Sequence, residues 1–254
     1  MRLDAALVKR GLAESRSAAT RLIEEGHVTV SGAFANKASR MVASDEPIQV
    51  LVDKRFVSRG GEKLEHALQH FEISVTNRSV LDAGVSTGGF TDCVLQHGAR
   101  RVFAVDVGRN QLHERIKADH RVTWRDGVNV RDITLVDMAF PCSLVVADLS
   151  FISLAKVLPA LMSVVESEEG FATPQMVLLV KPQFEAGRVE VSRGRGVITD
   201  PALHQAACDN VAAIVQNLGG QVVGTIESPI KGAEGNTEFL MLVNCPTRSV
   251  GLTT

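Results

Sequence analysis

Three ionisable residues stand at the ends of apolar runs, where a side chain can do chemistry. Val145-Val146-Ala147 closes on Asp148, and Leu178-Leu179-Val180 closes on Lys181. Glu238 opens Phe239-Leu240-Met241-Leu242-Val243. Each run reads as a buried strand, because a strand covered on both faces is almost continuously apolar. If the last strand runs antiparallel, its start shares a sheet edge with Asp148 and Lys181. A lysine between two carboxylates there could orient a hydroxyl and help to remove its proton. The same residues could instead form an ion-pair network that holds strand ends together.

A second group surrounds a turn. Ser79-Val80-Leu81-Asp82-Ala83 is a short apolar run, Gly84-Val85-Ser86-Thr87-Gly88 a loop, and an amphipathic segment starts at Gly89. The order is strand, loop, helix. Gly84 and Gly88 allow backbone angles and close ligand approach that a side chain forbids. Backbone donors at the helix start would face a ligand. The next strand, Arg101-Val102-Phe103-Ala104-Val105-Asp106, also ends in an acid. An acid about twenty residues past the glycines is placed for ribose hydroxyls, so an adenosine-type cofactor is expected. Ser86 occupies the place of the middle glycine of the dinucleotide fingerprint, where a pyrophosphate would press on the backbone. Asp126 and Asn129 follow the third strand, near an adenine or as loop caps. Arg59 and Lys63 precede the loop, as surface cations or as phosphate contacts.

These residues need a sheet to position them. Strands are expected near 79–83, 101–106, 121–124, 143–148, 176–181, 221–226 and 238–243. Helices are expected near 89–97, 110–118, 152–163 and 202–217. A further helix through Leu64, Ala67, Leu68 and Phe71 is capped by Ser58 or Gly61. The alternation implies an α/β fold with a doubly wound, mostly parallel, seven-stranded sheet. Ligands gather at the carboxyl ends of such strands. Residues 1–52 read as a separate small unit. Leu3, Ala6, Leu7 and Leu12 mark one helical face, and Ala18, Ala19, Leu22 and Ile23 a second. Ser15 or Ser17 caps the second helix and Gly26 ends it. Val28-Thr29-Val30 alternates as a strand. Residues 53–58 then read as a linker, 59–246 as the large domain and 247–254 as a tail.

Composition narrows the function classes. A chain of 254 residues suits one large or two smaller domains, and 45% apolar residues suffice for a core. Formal net charge is −2, so nucleic-acid binding would need local patches. With no tyrosine and one tryptophan, broad stacking platforms are not expected. Four scattered cysteines without a C-x-x-C pair suggest reduced thiols and no zinc site. No apolar run is long enough to span a bilayer, and the first residues lack a signal peptide's apolar segment. A cytoplasmic protein without a membrane or metal partner is the expectation.

Two resemblances sharpen this reading. Arg2-Leu3-Asp4, Arg10-Gly11-Leu12, Ser15-Arg16, Ala18-Ala19, Leu22-Ile23 and Gly26 to Gly32 resemble the S4-type RNA-binding domain. That resemblance implies a basic face for structured RNA, here Arg2, Lys9, Arg10, Arg16 and Arg21, joined by Arg59 and Arg188 near the large domain's site. Acids interrupt these cations, so a solvated mixed-charge surface is the alternative. Asp82-x-Gly84-x-Ser86-x-Gly88 looks like the first motif of S-adenosylmethionine (SAM) methyltransferases. Lys63, Asp148, Lys181 and Glu238 match, in order, the Lys-Asp-Lys-Glu set of FtsJ-type 2′-O-ribose methyltransferases. From Met1 to about Val243 the chain resembles the TlyA family, some of whose members are named haemolysin.

The resemblance implies a Rossmann-like class I SAM methyltransferase domain. SAM would meet Asp82, Gly84, Ser86, Thr87, Gly88, Asp106 and Asp126. The four-residue set would transfer methyl to cytidine ribose in ribosomal RNA, without a metal. The partners would be ribosomal RNA and ribosomal subunits, and the protein a monomer. Residues 184–196, basic and Gly-rich, would be a flexible loop or a cover on RNA phosphate, and 228–236 a facing wall. Three other readings stand beside this one: a nicotinamide oxidoreductase, a non-catalytic ribosome assembly factor and a pore-forming haemolysin.

Overall fold

The computed structural model describes residues 1–13, 15–24, 26–51, 55–186, 196–232 and 234–247. Its contacts divide the chain into two units, Met1–Arg55 and Phe56–Thr254.

In the first unit, α1 (Leu3–Lys9) and α2 (Arg16–Glu24) precede a small antiparallel sheet. Its strands are β1 (Val28–Val30), β2 (Ala33–Phe34) and β3 (Ile48–Val50), in the order β2-β1-β3. Ser15 Oγ accepts a hydrogen bond from Ala18 N at 3.2 Å, an N-cap for α2. Past the other end, Gly26 takes φ +76° and His27 N donates to Leu22 O at 2.9 Å. Leu3, Ala6, Leu7, Ala19, Ile23, Val28 and Val30 form the core. Leu12 does not join the α1 face; it lies beyond the helix and is exposed. Gly11, at φ +68°, has already turned the chain away.

The second unit opens with α3 (Gly60–His70), β4 (Ser79–Ala83), α4 (Gly89–Gln96), β5 (Arg101–Asp106), α5 (Glu114–Lys117) and β6 (Val122–Asp126). It continues with β7 (Leu144–Ala147), α6 (Leu158–Val164), β8 (Gln175–Val180), α7 (Pro182–Glu185), α8 (Pro201–Asn217), β9 (Gln221–Glu227) and β10 (Phe239–Asn244). The sheet order is β6-β5-β4-β7-β8-β10-β9. Strands β6 to β8 are parallel, and β10 is antiparallel to both its neighbours. This is the expected doubly wound α/β sheet of seven strands. Alternate residues of each strand enter two cores. Leu81, Phe103, Val145 and Met176 face one, and Val80, Val102, Val146 and Val177 the other.

Some elements differ from the sequence reading. The helix expected over 110–118 is only α5, because His113 caps it late, accepting from Arg115 N at 3.1 Å. The helix expected from 152 starts at Leu158 after a 3₁₀ turn over Leu154–Lys156. Neither Ser58 nor Gly61 is the cap of α3: Arg59 stands at its N-cap, Ser58 precedes it and Gly61 lies within the helix. The short helix α7 was not anticipated. The strand order reverses where β4 lies between β5 and β7, and such a switch point leaves a crevice at the carboxyl ends.

Candidate active site

Two cavities open at that crevice. One, of about 620 Å³, is lined by Gly84, Ser86, Asp106, Gly108, Asn129 and Asp148 among others. The other, of about 470 Å³, is lined by Arg59, Lys63, Asp148, Phe151, Lys181 and Glu238 among others. Gly84, Ser86, Asp148, Ser150 and Phe151 belong to both walls.

The larger cavity is built by the loop after β4. Gly84 has φ +89°, and a Cβ there would stand 2.7 Å from the carbonyl oxygen of Asp148. Glycine is therefore required for both angle and space. Ser86 takes φ +47°, and its amide donates to Asp106 Oδ2 at 2.8 Å. Gly108 N donates to Asp106 Oδ1 at 2.7 Å. Asp106 thus ties two turns together while lining the cavity, and each oxygen keeps further acceptor capacity. Asp82 is fully buried below the loop. Its Oδ2 accepts from Thr91 Oγ1 at 2.6 Å, but Oδ1 has no hydrogen-bond partner among the described residues. Burial pushes this carboxyl up to about 7, with Thr91 opposing the shift and Asp148 adding to it.

The smaller cavity holds two lysine–carboxylate pairs. Lys181 follows β8, and its Nζ stands 2.5 Å from Asp148 Oδ1. It also donates to Ser150 Oγ at 2.8 Å. Lys63, on α3, donates to Glu238 Oε2 at 2.5 Å. Because β10 is antiparallel to β8, with Phe239 opposite Val180, Glu238 is level with Lys181. All four residues therefore reach one sheet edge, although Lys63 and Glu238 are 175 positions apart.

Comparison with known proteins adds to this geometry. The description FtsJ-like methyltransferase matches residues 56–245, and S4 domain matches residues 1–48. A Mycobacterium tuberculosis protein named 16S/23S rRNA (cytidine-2′-O)-methyltransferase TlyA is 43% identical, over 97% of this chain and 90% of its own. The chain belongs to the TlyA family. Hemolysin A of Brachyspira hyodysenteriae is 41% identical, over 94% of this chain and 98% of its own. A solved Streptococcus thermophilus structure, 38% identical, covers 100% of this chain and 92% of its own, with a TM-score of 0.73. Among the described residues of this TlyA-family chain, no helix is long and apolar enough to cross a membrane.

The remaining expected residues divide. Thr87 is exposed on the loop, and its carbonyl accepts from His113 N. Gly88 has φ +97° at the start of α4. Asp126 caps a turn, accepting from Asn110 N at 2.7 Å, and does not line the larger cavity, whereas Asn129 does. Arg59 is exposed at the smaller cavity. Arg188 lies outside the described residues. In the S4 unit, Lys9 and Arg21 are exposed. Arg10 is turned to another purpose: its guanidinium donates to the carbonyls of Ala43, Ser44 and Glu46. Arg2 and Arg16 both pair with Asp4.

Three site residues escaped the sequence reading as individuals. Ser150 accepts from Lys181. Phe151 is 92% exposed at φ +63° and its ring lies 5.3 Å from that of Phe184. A left-handed aromatic costs roughly 1–3 kcal/mol and persists where its surroundings over-determine it. Glu185 accepts from Ser153 Oγ at 2.6 Å and from Leu154 N at 2.8 Å. Phe184 and Glu185 are therefore not open loop. They brace the segment that carries Ser150 and Phe151. Residues 187–195 of that expected loop lie outside the described residues. No periodic pattern marks such residues; only their closeness in sequence to Asp148 and Lys181 could have drawn attention to them.

Proposed function

We propose that this chain is a SAM-dependent 2′-O-ribose methyltransferase acting on cytidine in ribosomal RNA. The observation that carries the reading is the Lys181–Asp148 pair, whose carboxylate stands on the wall common to both cavities. The substrate class is that named for the M. tuberculosis relative. A ribosomal substrate supports a cytoplasmic location.

The larger cavity suits SAM. Asp82 lies fully buried beneath the loop, outside both cavity walls, and supports the loop through Thr91 Oγ1. Asp106 offers carboxylate lone pairs to ribose hydroxyls. Gly84 leaves room that a side chain would fill. When bound, SAM supplies an electrophilic methyl group. This chain's residues do the rest. A ribose hydroxyl is a weak nucleophile near neutral pH. Lys181 orients it and stabilises the negative charge that develops on its oxygen as its proton passes to solvent. Asp148 and Ser150 hold the Lys181 ammonium in place. Glu238 and Lys63 fix the neighbouring wall. Phe151 and Phe184 offer ring faces for a base beside the ribose. Holding the reacting atoms close and aligned supplies much of the rate.

The test is transfer of labelled methyl from SAM to isolated ribosomal subunits by the purified full-length protein, followed by mapping of the methylated ribose. Methyl at a cytidine 2′-oxygen is expected. No transfer to either subunit, or tight binding of a nicotinamide dinucleotide in place of SAM, would overturn the assignment.

A further inference from the structure

Two arginines from different helices meet on one buried carboxylate in the N-terminal unit. Arg2, at the N-cap of α1, donates Nε and Nη2 to Asp4 at 3.2 and 3.1 Å. Arg16, the first residue of α2, donates Nη2 to the same Asp4 Oδ2 at 2.8 Å. The other oxygen of Asp4 accepts from Ala5 N. The Asp4 side chain is 4% exposed, whereas those of Arg2 and Arg16 are 48% and 62% exposed. The hydrogen bond from Arg2, with help from Arg16, holds this carboxyl well below the usual range, so it is charged throughout the neutral range.

A free surface arginine must be ordered when it binds, and each ordered side chain lowers affinity. Here the buried acid orders both before any ligand arrives. It also offsets the repulsion between two adjacent guanidinium groups. Among the described residues, Arg2 Nη1 and the Nε and Nη1 of Arg16 make no hydrogen bond, so their donors remain available. A guanidinium fork matches phosphate oxygens in geometry as well as charge.

We propose that Asp4 is a positioning residue that holds Arg2 and Arg16 together as one phosphate clamp for the RNA substrate. This rests on the N-terminal unit being the RNA anchor. If Asp4 merely cancelled charge, the opposite sign would follow. Its removal would raise net charge by one and tighten binding to a polyanion.

The experiment measures binding of the full-length protein to isolated ribosomal subunits across a salt series, with methyl-transfer kinetics alongside. Asp4→Asn should weaken binding on the order of tenfold. The KM for subunits should rise in step, with kcat at saturation and SAM affinity unchanged. Arg2→Ala and Arg16→Ala should each weaken binding and lower the salt slope by about one. In the Arg2→Ala/Arg16→Ala background, Asp4→Asn should add no further loss, because the residues act as a unit. Equal or tighter binding by Asp4→Asn, or a loss that persists undiminished without the arginines, overturns the clamp. Arginine removal with no effect on subunit binding instead removes the RNA-anchor reading beneath it. Should Asp4→Asn fail to fold, Arg2→Lys and Arg16→Lys decide the matter. They keep charge but lose the fork, so the clamp requires weaker binding, and unchanged binding refutes it.

Discussion

The two lysine–carboxylate pairs at the sheet edge have the same length, 2.5 Å, and equally buried lysines, each 9% exposed, and they differ in their carboxylates. Lys63–Glu238 is closed, with the Glu238 side chain 3% exposed. Lys181–Asp148 is open, with the Asp148 side chain 26% exposed on the wall of both cavities. Both partners of Lys63–Glu238 are nearly buried, so removing one leaves a charge that little offsets. An open pair can admit a substrate group without that penalty. The closed pair therefore acts through the stability and alignment of the edge. The open pair acts on the reacting hydroxyl.

Separating these roles by mutation sharpens the contrast. The largest effect belongs to the open pair. Lys181→Ala should fold normally, bind SAM and ribosomal subunits, and lose methyl transfer by roughly 10²–10⁴-fold in kcat. Lys181→Arg should not restore it, because the planar guanidinium fork does not fit the place of the compact ammonium between Asp148 and Ser150. Single-turnover transfer at saturating SAM is the measurement. A rate near wild type for Lys181→Ala would erase the distinction between the pairs.

The closed pair should show its effect first in stability. Lys63→Met leaves Glu238 buried without its partner and should cost about 3–5 kcal/mol in urea unfolding. Lys63→Met/Glu238→Leu should regain much of that stability, since an apolar replacement removes both buried charges, yet remain slow in methyl transfer. If the double variant is as unstable as the single one, burial of an unpaired charge is not the cause.

Asp82 is a buried carboxylate that pairs with no lysine. Its folded pKa, pushed up to about 7 by burial, lies above the ordinary carboxylate value. Between about pH 4 and 7 the folded protein thus holds a proton that the unfolded chain has released. Its contribution to stability is full below that window and is lost as pH rises through it. Urea unfolding of SAM-free protein should show this as a falling component between pH 4 and 7. Subtracting Asp82→Asn data should isolate it, and an identical pH dependence in the variant would contradict the assignment.

The smallest effect is expected outside both pairs. Phe151→Ala removes an exposed ring and should weaken function by about 1–3 kcal/mol, the usual range for one base stack. Subunit methylation rates should fall while SAM affinity and the unfolding midpoint hold. A lowered midpoint with normal methylation would make Phe151 a structural residue only.

Much of this arrangement was legible in the order of residues. The runs ending in Asp106, Asp148 and Lys181 are strands because continuous apolar residues have to be buried on both faces. Gly84 and Gly88 announced the turn, and both take positive φ. Ser15 and Gly26 bound α2 by local hydrogen bonding. These features depend on neighbours a few positions away, so the chain carries them in its local pattern. Asp126 could be read as ligand or as cap, because both uses need the same carboxylate in the same loop. Only the folded backbone put Asn110 N against it. Arg10 looked like any surface cation until the turn at Ala43–Glu46 folded under its guanidinium. The antiparallel sense of β10 brings Glu238 level with Lys181 and onto Lys63. Pairing across 175 positions is set by sheet order and by the burial of two charges, and neither leaves a periodic trace in the chain. The chemistry could thus be inferred from which residues end the strands, whereas its division into an open and a closed pair arose only when packing buried Glu238 and left Asp148 partly exposed.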